Sequence, residues 1–127
     1  MRINHIAMYV NDLEAARDFF VRYFEAKASD KYHNPRTGFQ SFFMTFDDGS
    51  KLELMNRPVM LDYTKKPNRT GYAHLSISVG SKEKVDDLTE RLEAEGYHVE
   101  CEPRYTGDGF YESTIKGVED NLIEITI

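Results

Sequence analysis

Two histidines and two glutamates in this 127-residue chain are of types that do chemistry and are spaced as a matched set. His5 and His74 stand 69 residues apart, and Glu53 and Glu124 stand 71 apart. Each histidine is the third residue of a stretch of period two that runs into a helical pattern, residues 3–10 and 72–79. Ala73, Leu75, Ile77 and Val79 share one face of the later stretch; Tyr72, His74, Ser76 and Ser78 share the other. In the first, His5 lies on the face of Ile3, Ala7 and Tyr9, and Ile6, Met8 and Val10 face the helix. Glu53 sits between Leu52 and Leu54, and Glu124 between Ile123 and Ile125. All four polar side chains are therefore expected on the sheet face opposite the helices, converging in one cavity if two curved sheets combine.

A carboxylate buried alone in a strand costs several kcal/mol or takes up a proton. A divalent ion removes that cost here, because two glutamates and two neutral imidazoles balance its charge. Nitrogen and oxygen donors without thiolate suit Zn, Ni, Co, Fe or Mn and do not single one out. An octahedral ion would keep two positions for water or substrate. His33 and His98 have no counterpart in the other half of the chain and are expected to be ordinary histidines. Glu112, on a predicted strand, needs no special role.

The elements that must position these residues occur twice. Asn11 and Asp12 are cap candidates ahead of Leu13, Ala16, Phe19, Phe20, Tyr23 and Phe24 at helical spacing. A short strand over 27–32, a turn over 34–38, a strand over 39–46, a hairpin turn over 47–50 and a strand over 51–56 follow. Residues 57–70, with Pro58 and Pro67, read as a connection. The order then repeats: a strand over 72–79, a helix capped by Ser81 and closed by Gly96, and strands over 97–105, 110–116 and 122–127. The expected fold class is α+β: two tandem βαβββ modules, at about 1–57 and 71–127, joined over about 58–70 into one domain of 127 residues, with curved mixed sheets and outer helices.

Composition narrows the partners. The formal net charge is −6 and no basic run is interleaved with aromatics, so nucleic acid is a poor fit. No apolar run approaches the ~20 residues that span a bilayer, and the first residues lack a secretory apolar region, so a cytoplasmic protein with no membrane partner is expected. Cys101 is the only cysteine, which leaves no disulfide framework or thiolate metal site within one chain.

The sequence resembles the vicinal oxygen chelate superfamily of glyoxalase I, extradiol dioxygenases, fosfomycin-resistance proteins and methylmalonyl-CoA epimerase. The resemblance covers the whole chain. It is carried by Asn4-His5-Ile6-Ala7 and the following helix, by Lys51-Leu52-Glu53-Leu54, by Tyr72-Ala73-His74-Leu75-Ser76 and by Asp120-Asn121-Leu122-Ile123-Glu124-Ile125. The last is similar to the family's closing Asp-Gly-Asn-x-Ile-Glu-Leu strand, without the glycine.

The set His5, Glu53, His74 and Glu124 most resembles short bacterial glyoxalase I. That implies Ni, Co or Zn as metal, with Mn or Fe as further options. The implied reaction isomerises a hemithioacetal to a hydroxyacyl thioester, with Glu124 and, opposite it, Glu53 moving the proton. Relatives of this size imply a homodimer whose sites are shared between chains.

The glyoxalase I arginine that holds glutathione falls at Tyr9; Tyr9, Arg57 and Arg104 are the candidate substrate-binding residues, the two arginines either binding an anionic group of a small-molecule substrate or standing as solvated surface charges. A fourth protein ligand argues against a three-ligand dioxygenase or thiol transferase. An epimerase stays an alternative, although that family usually has glutamine where Glu53 stands. A non-catalytic drug-binding module is the alternative of a different class.

Overall fold

The computed structural model describes residues 1–61 and 70–127, so most of the expected connection, residues 62–69, lies outside the described residues. The chain divides into two compact units, Met1–Tyr63 and Thr64–Ile127.

The first unit runs β1 (Ile6–Tyr9), α1 (Leu13–Phe24), β2 (Lys27–Ala28), β3 (Tyr32–His33), β4 (Gln40–Thr45) and β5 (Lys51–Asn56). Asp12 starts α1 from an extended conformation, its carboxylate accepting from the Ala15 N–H at 2.9 Å. Leu13, Ala16, Phe19, Phe20 and Tyr23 form one buried stripe. The stripe packs on the helix-side row of the sheet, where Leu52 and Leu54 are 2% and 0% exposed beside buried Phe42 and Met44. Burying a side chain of this size stabilises the fold by roughly 1.5–3 kcal/mol.

Strand order is β1-β5-β4-β2, with β3 also on β4. β1 runs parallel to β5 and the other pairs are antiparallel, so the sheet is mixed.

The second unit runs β6 (Leu75–Ser78), α2 (Lys82–Ala94), β7 (His98–Tyr105), β8 (Tyr111–Lys116), a short 3₁₀ turn (Val118–Asp120) and β9 (Leu122–Thr126). Its sheet order is β6-β9-β8-β7, again with the first strand parallel to the last. Ser81 caps α2, and Val85, Thr89 and Leu92 pack toward Ile115, Ile123 and Ile125, all fully buried hydrophobics. The buried hydroxyls of this core are satisfied: those of Thr89 and Ser113 meet at 2.6 Å, and Thr89 also donates to the Val85 carbonyl.

Three local features differ from the sequence expectation. The strands expected from residues 3 and 72 begin at Ile6 and Leu75. Each is parallel to a strand that itself begins only after a turn, in the register Ile6↔Leu52 and Leu75↔Ile123, so residues before His5 and His74 have no ladder to join. His5 and His74 stand one residue before their strands.

The strand expected over 27–32 is broken into β2 and β3. The Ser29 hydroxyl accepts from the Phe43 N–H at 3.0 Å and takes the place of a ladder carbonyl. Finally, the missing glycine before Asn121 leaves Glu119 and Asp120 both left-handed, at φ 48° and 60°. The turn is held by Asn121, whose side-chain amide donates to the Val118 carbonyl at 2.9 Å.

Candidate functional site

Residues paired in register share a face of the sheet, and this places the four predicted side chains. In the first unit Glu53 on β5 lies between Ala7 on β1 and Phe43 on β4, on the face away from α1. In the second unit Glu124 on β9 lies between Ser76 on β6 and Thr114 on β8. The two arrangements correspond strand for strand in pairing order. His5 Nε2 is 3.6 Å from Glu53 Oε2, and His74 Nε2 is 3.5 Å from Glu124 Oε2. The glutamates are largely covered, at 15% and 16% side-chain exposure, while the histidines are more open, at 37% and 42%.

These separations are longer than a good N–H···O hydrogen bond of about 2.7–3.2 Å. They are within the span of two donors each about 2.0–2.2 Å from a common ion. Each unit therefore brings together one imidazole and one carboxylate, donor types that suit a divalent metal. The His5 ring is also oriented for it. Its Nδ1 lies 2.9 Å from the Asn4 side-chain oxygen, which accepts a hydrogen bond in the tautomer that carries the proton on Nδ1. The ring also meets Phe43 edge-on, with centroids 5.3 Å apart. Among the described residues no group of three or more His, Cys, Asp or Glu side chains is gathered closely enough to hold an ion.

Around the His5–Glu53 pair the same face carries the predicted anion binders of the first unit. Arg57 follows β5 on the Glu53–Met55 side of the alternation. Its Nε donates to the Tyr9 hydroxyl at 2.9 Å, and its guanidinium lies 5.4 Å from the Phe39 ring centroid. Tyr9 thus orients Arg57, and the outer N–H groups have no carboxylate partner among the described residues. Arg104 is placed differently. It lies across from Glu112 in the β7–β8 register, with Nη1 3.5 Å from Glu112 Oε1.

Glu112 is the residue that sequence reasoning missed. It shares the open face of the second sheet with Glu124, one strand over and displaced by two residues. Burial, then the charge of Glu124, hold its carboxyl above the ordinary glutamate range, against the opposing pull of Arg104. The only sequence signal was the even spacing of Glu112 and Thr114 on one strand, which has meaning only once β8 is paired with β9.

The raised value makes a prediction. The folded protein binds the Glu112 proton more tightly than the unfolded chain does, so this group's contribution to stability falls as pH rises above about 4.3. In chelator-treated protein, Glu112→Gln is expected to raise Tm at pH 7 and to lose that advantage near pH 4. The Arg104 contact given up is half-exposed and worth little. Equal destabilisation at both pH values would contradict this account of Glu112.

Comparison with known proteins agrees with the two-unit fold. The family model of the Glyoxalase/Bleomycin resistance protein/Dioxygenase superfamily matches residues 2–125, and the chain belongs to this superfamily. A protein of Bacillus subtilis (strain 168), described as "Uncharacterized protein YqjT", is 29% identical over 116 residues, which are 86% of this chain and 85% of that protein.

Among solved structures, a glyoxalase family protein from Bacillus cereus matches with a TM-score of 0.84 at 21% identity, over 99% of this chain and 93% of that one. Glyoxalase I from Zea mays matches with a TM-score of 0.80 at 20% identity, over 98% of this chain but 44% of that longer chain. At these identities the structures speak for the fold. Among the described residues no helix is long and apolar enough to cross a membrane.

Proposed function

We propose that this protein is a metal-dependent lyase or isomerase of the glyoxalase I type. In this reading His5, Glu53, His74 and Glu124 hold a divalent ion, with Ni, Co or Zn ahead of Mn or Fe, in a homodimer whose sites are shared between chains. The observation that carries it is the repetition of one imidazole–carboxylate pair, at 3.6 and 3.5 Å, on equivalent strands of both units. One pair alone is an ordinary surface contact. Two pairs at matched positions offer four donors with balanced charge.

When bound, the ion supplies positive charge that stabilises the oxyanion formed as a carbon-bound proton is lost. The chain's own residues do the rest. Glu124, with Glu53 opposite, takes the proton from the carbon bearing the hydroxyl and returns it to the adjacent carbonyl carbon, while the hydroxyl proton passes to the former carbonyl oxygen, so the reaction is an isomerisation without net gain or loss of atoms. In this reading the Asn4 side-chain oxygen, 2.9 Å from Nδ1, favours the His5 tautomer protonated there, which leaves Nε2 for the ion. Arg57, set by Tyr9 and Phe39, binds an anionic group on the substrate, with Arg104 as a second candidate in the other unit.

The test is turnover by metal-reconstituted protein, with methylglyoxal presented as the hemithioacetal of glutathione and of other thiols. Thioester formation that disappears in Glu124→Gln is the expected result. Arg57→Ala is expected to raise KM about tenfold or more for a thiol bearing a carboxylate, and to leave an uncharged thiol nearly unaffected. A loaded site with no turnover of any hemithioacetal would overturn the reaction while leaving the fold intact.

A further inference from the structure

The two carboxylates of the proposed metal site are not equivalent, and one source of the difference is a single position of the internal repeat. Ala7 and Ser76 correspond. Each lies two residues after its histidine, on the first strand of its unit, in register with the glutamate: Ala7↔Glu53 and Ser76↔Glu124. The methyl of Ala7 offers Glu53 nothing, and on the other flank Phe43 is apolar. Among the described residues Glu53 has no partner apart from the His5 ring. Ser76, by contrast, donates its hydroxyl to Glu124 Oε1 at 2.6 Å, while the other oxygen, Oε2, faces His74 Nε2 at 3.5 Å.

We infer that Ser76 is a positioning residue for Glu124, resting on the metal-site reading above. Its bond engages Oε1 and orients the carboxylate plane, so Glu124 turns Oε2, its freer oxygen, toward His74. Glu53, with no such bond, turns about its side-chain torsions and is the more adaptable of the two. The second unit thereby arrives with its carboxylate oriented, and the first with its imidazole oriented by Asn4. Each half of the quartet has one member held in place by a neighbour that is not itself a ligand. Groups in that position usually affect metal affinity about 10–100-fold on removal.

The experiment is a Co(II) titration of the chelator-treated full-length protein, read by the visible absorption of the bound ion and by competition with a chelator of known affinity. It is applied to wild type, Ser76→Ala and Ser76→Thr. Ser76 is exposed on a strand, so neither change threatens folding, and a urea midpoint for each variant confirms this. Ser76→Ala is expected to weaken Co(II) binding about 10–100-fold and to change the visible band, whereas Ser76→Thr, which keeps the hydroxyl, stays close to wild type. Wild-type affinity and spectrum in Ser76→Ala would overturn the role of Ser76 alone. Failure of wild type to bind Co(II) would overturn the metal-site reading, and this inference with it.

Discussion

A chain carrying His5→Ala mixed with one carrying His74→Ala is expected to recover metal binding and turnover that neither variant has by itself. The expectation follows from the site proposed above, in which four ligands are shared between two chains. Each unit holds one imidazole and one carboxylate, 3.6 and 3.5 Å apart, and a site shared between chains takes its first half from one protomer and its second half from the partner. In a mixed dimer one of the two sites then collects both damaged halves, and the other collects both intact ones. With free exchange of protomers half of the dimers are mixed, so about a quarter of all sites are intact. Either variant alone removes one of four ligands from every site. The loss should be at least the 10–100-fold seen when a residue merely supporting a ligand is removed. Metal binding measured after unfolding, mixing and refolding distinguishes the cases. Recovery near a quarter supports shared sites, while no recovery places all four ligands of a site within one chain.

Gly38→Ala is expected to cost about 2–4 kcal/mol, one of the largest effects of any single methyl group in the first unit. Gly38 has φ +71°, and a Cβ there would lie 2.4 Å from Pro58 Cγ and 3.1 Å from Pro58 Cδ. The left-handed backbone costs a side chain roughly 1–2 kcal/mol. The collision with a ring that cannot rotate away adds the remainder. Gly49 is the natural control, at φ +82° with nothing within 4 Å of an added Cβ, so Gly49→Ala should show the backbone cost alone. Pro58 directly follows Arg57, which makes the damage functional as well. A displaced Pro58 draws Arg57 away from the Tyr9 hydroxyl and the Phe39 ring. Urea midpoints of the two alanine variants test the difference, and Pro58→Ala should restore part of the stability lost in Gly38→Ala. Equal losses at positions 38 and 49 would remove Pro58 from the explanation.

Much of this architecture was legible in the sequence because local signals and the internal repeat point the same way. Asp12 and Ser81 cap the helices they were expected to cap, and Gly96 closes the second with φ +95°. The apolar neighbours of Glu53 and Glu124 are among the most buried residues of the chain, as a strand with one covered face requires.

What the sequence hid depends on pairing between distant segments. The late start of β1 and β6 is set by where β5 and β9 begin, and the break at Ser29 by a hydroxyl that reaches Phe43 across the sheet. Glu112 looked ordinary because its approach to Glu124 needs the register of β8 on β9. The contrast between Ala7 and Ser76 was visible as letters, but only the 2.6 Å bond to Glu124 gives it meaning.

The measurement that bears most directly on the proposed metal site is the divalent metal content of the protein after chelation and reloading, by elemental analysis, for wild type, Glu53→Gln and Glu124→Gln. Glu53 and Glu124 belong to different units, so a site built from both must fail when either is changed. About one ion per chain in wild type, lost from both variants, is the predicted result. A wild-type protein that takes up no ion, or variants that each retain a full ion, would contradict it.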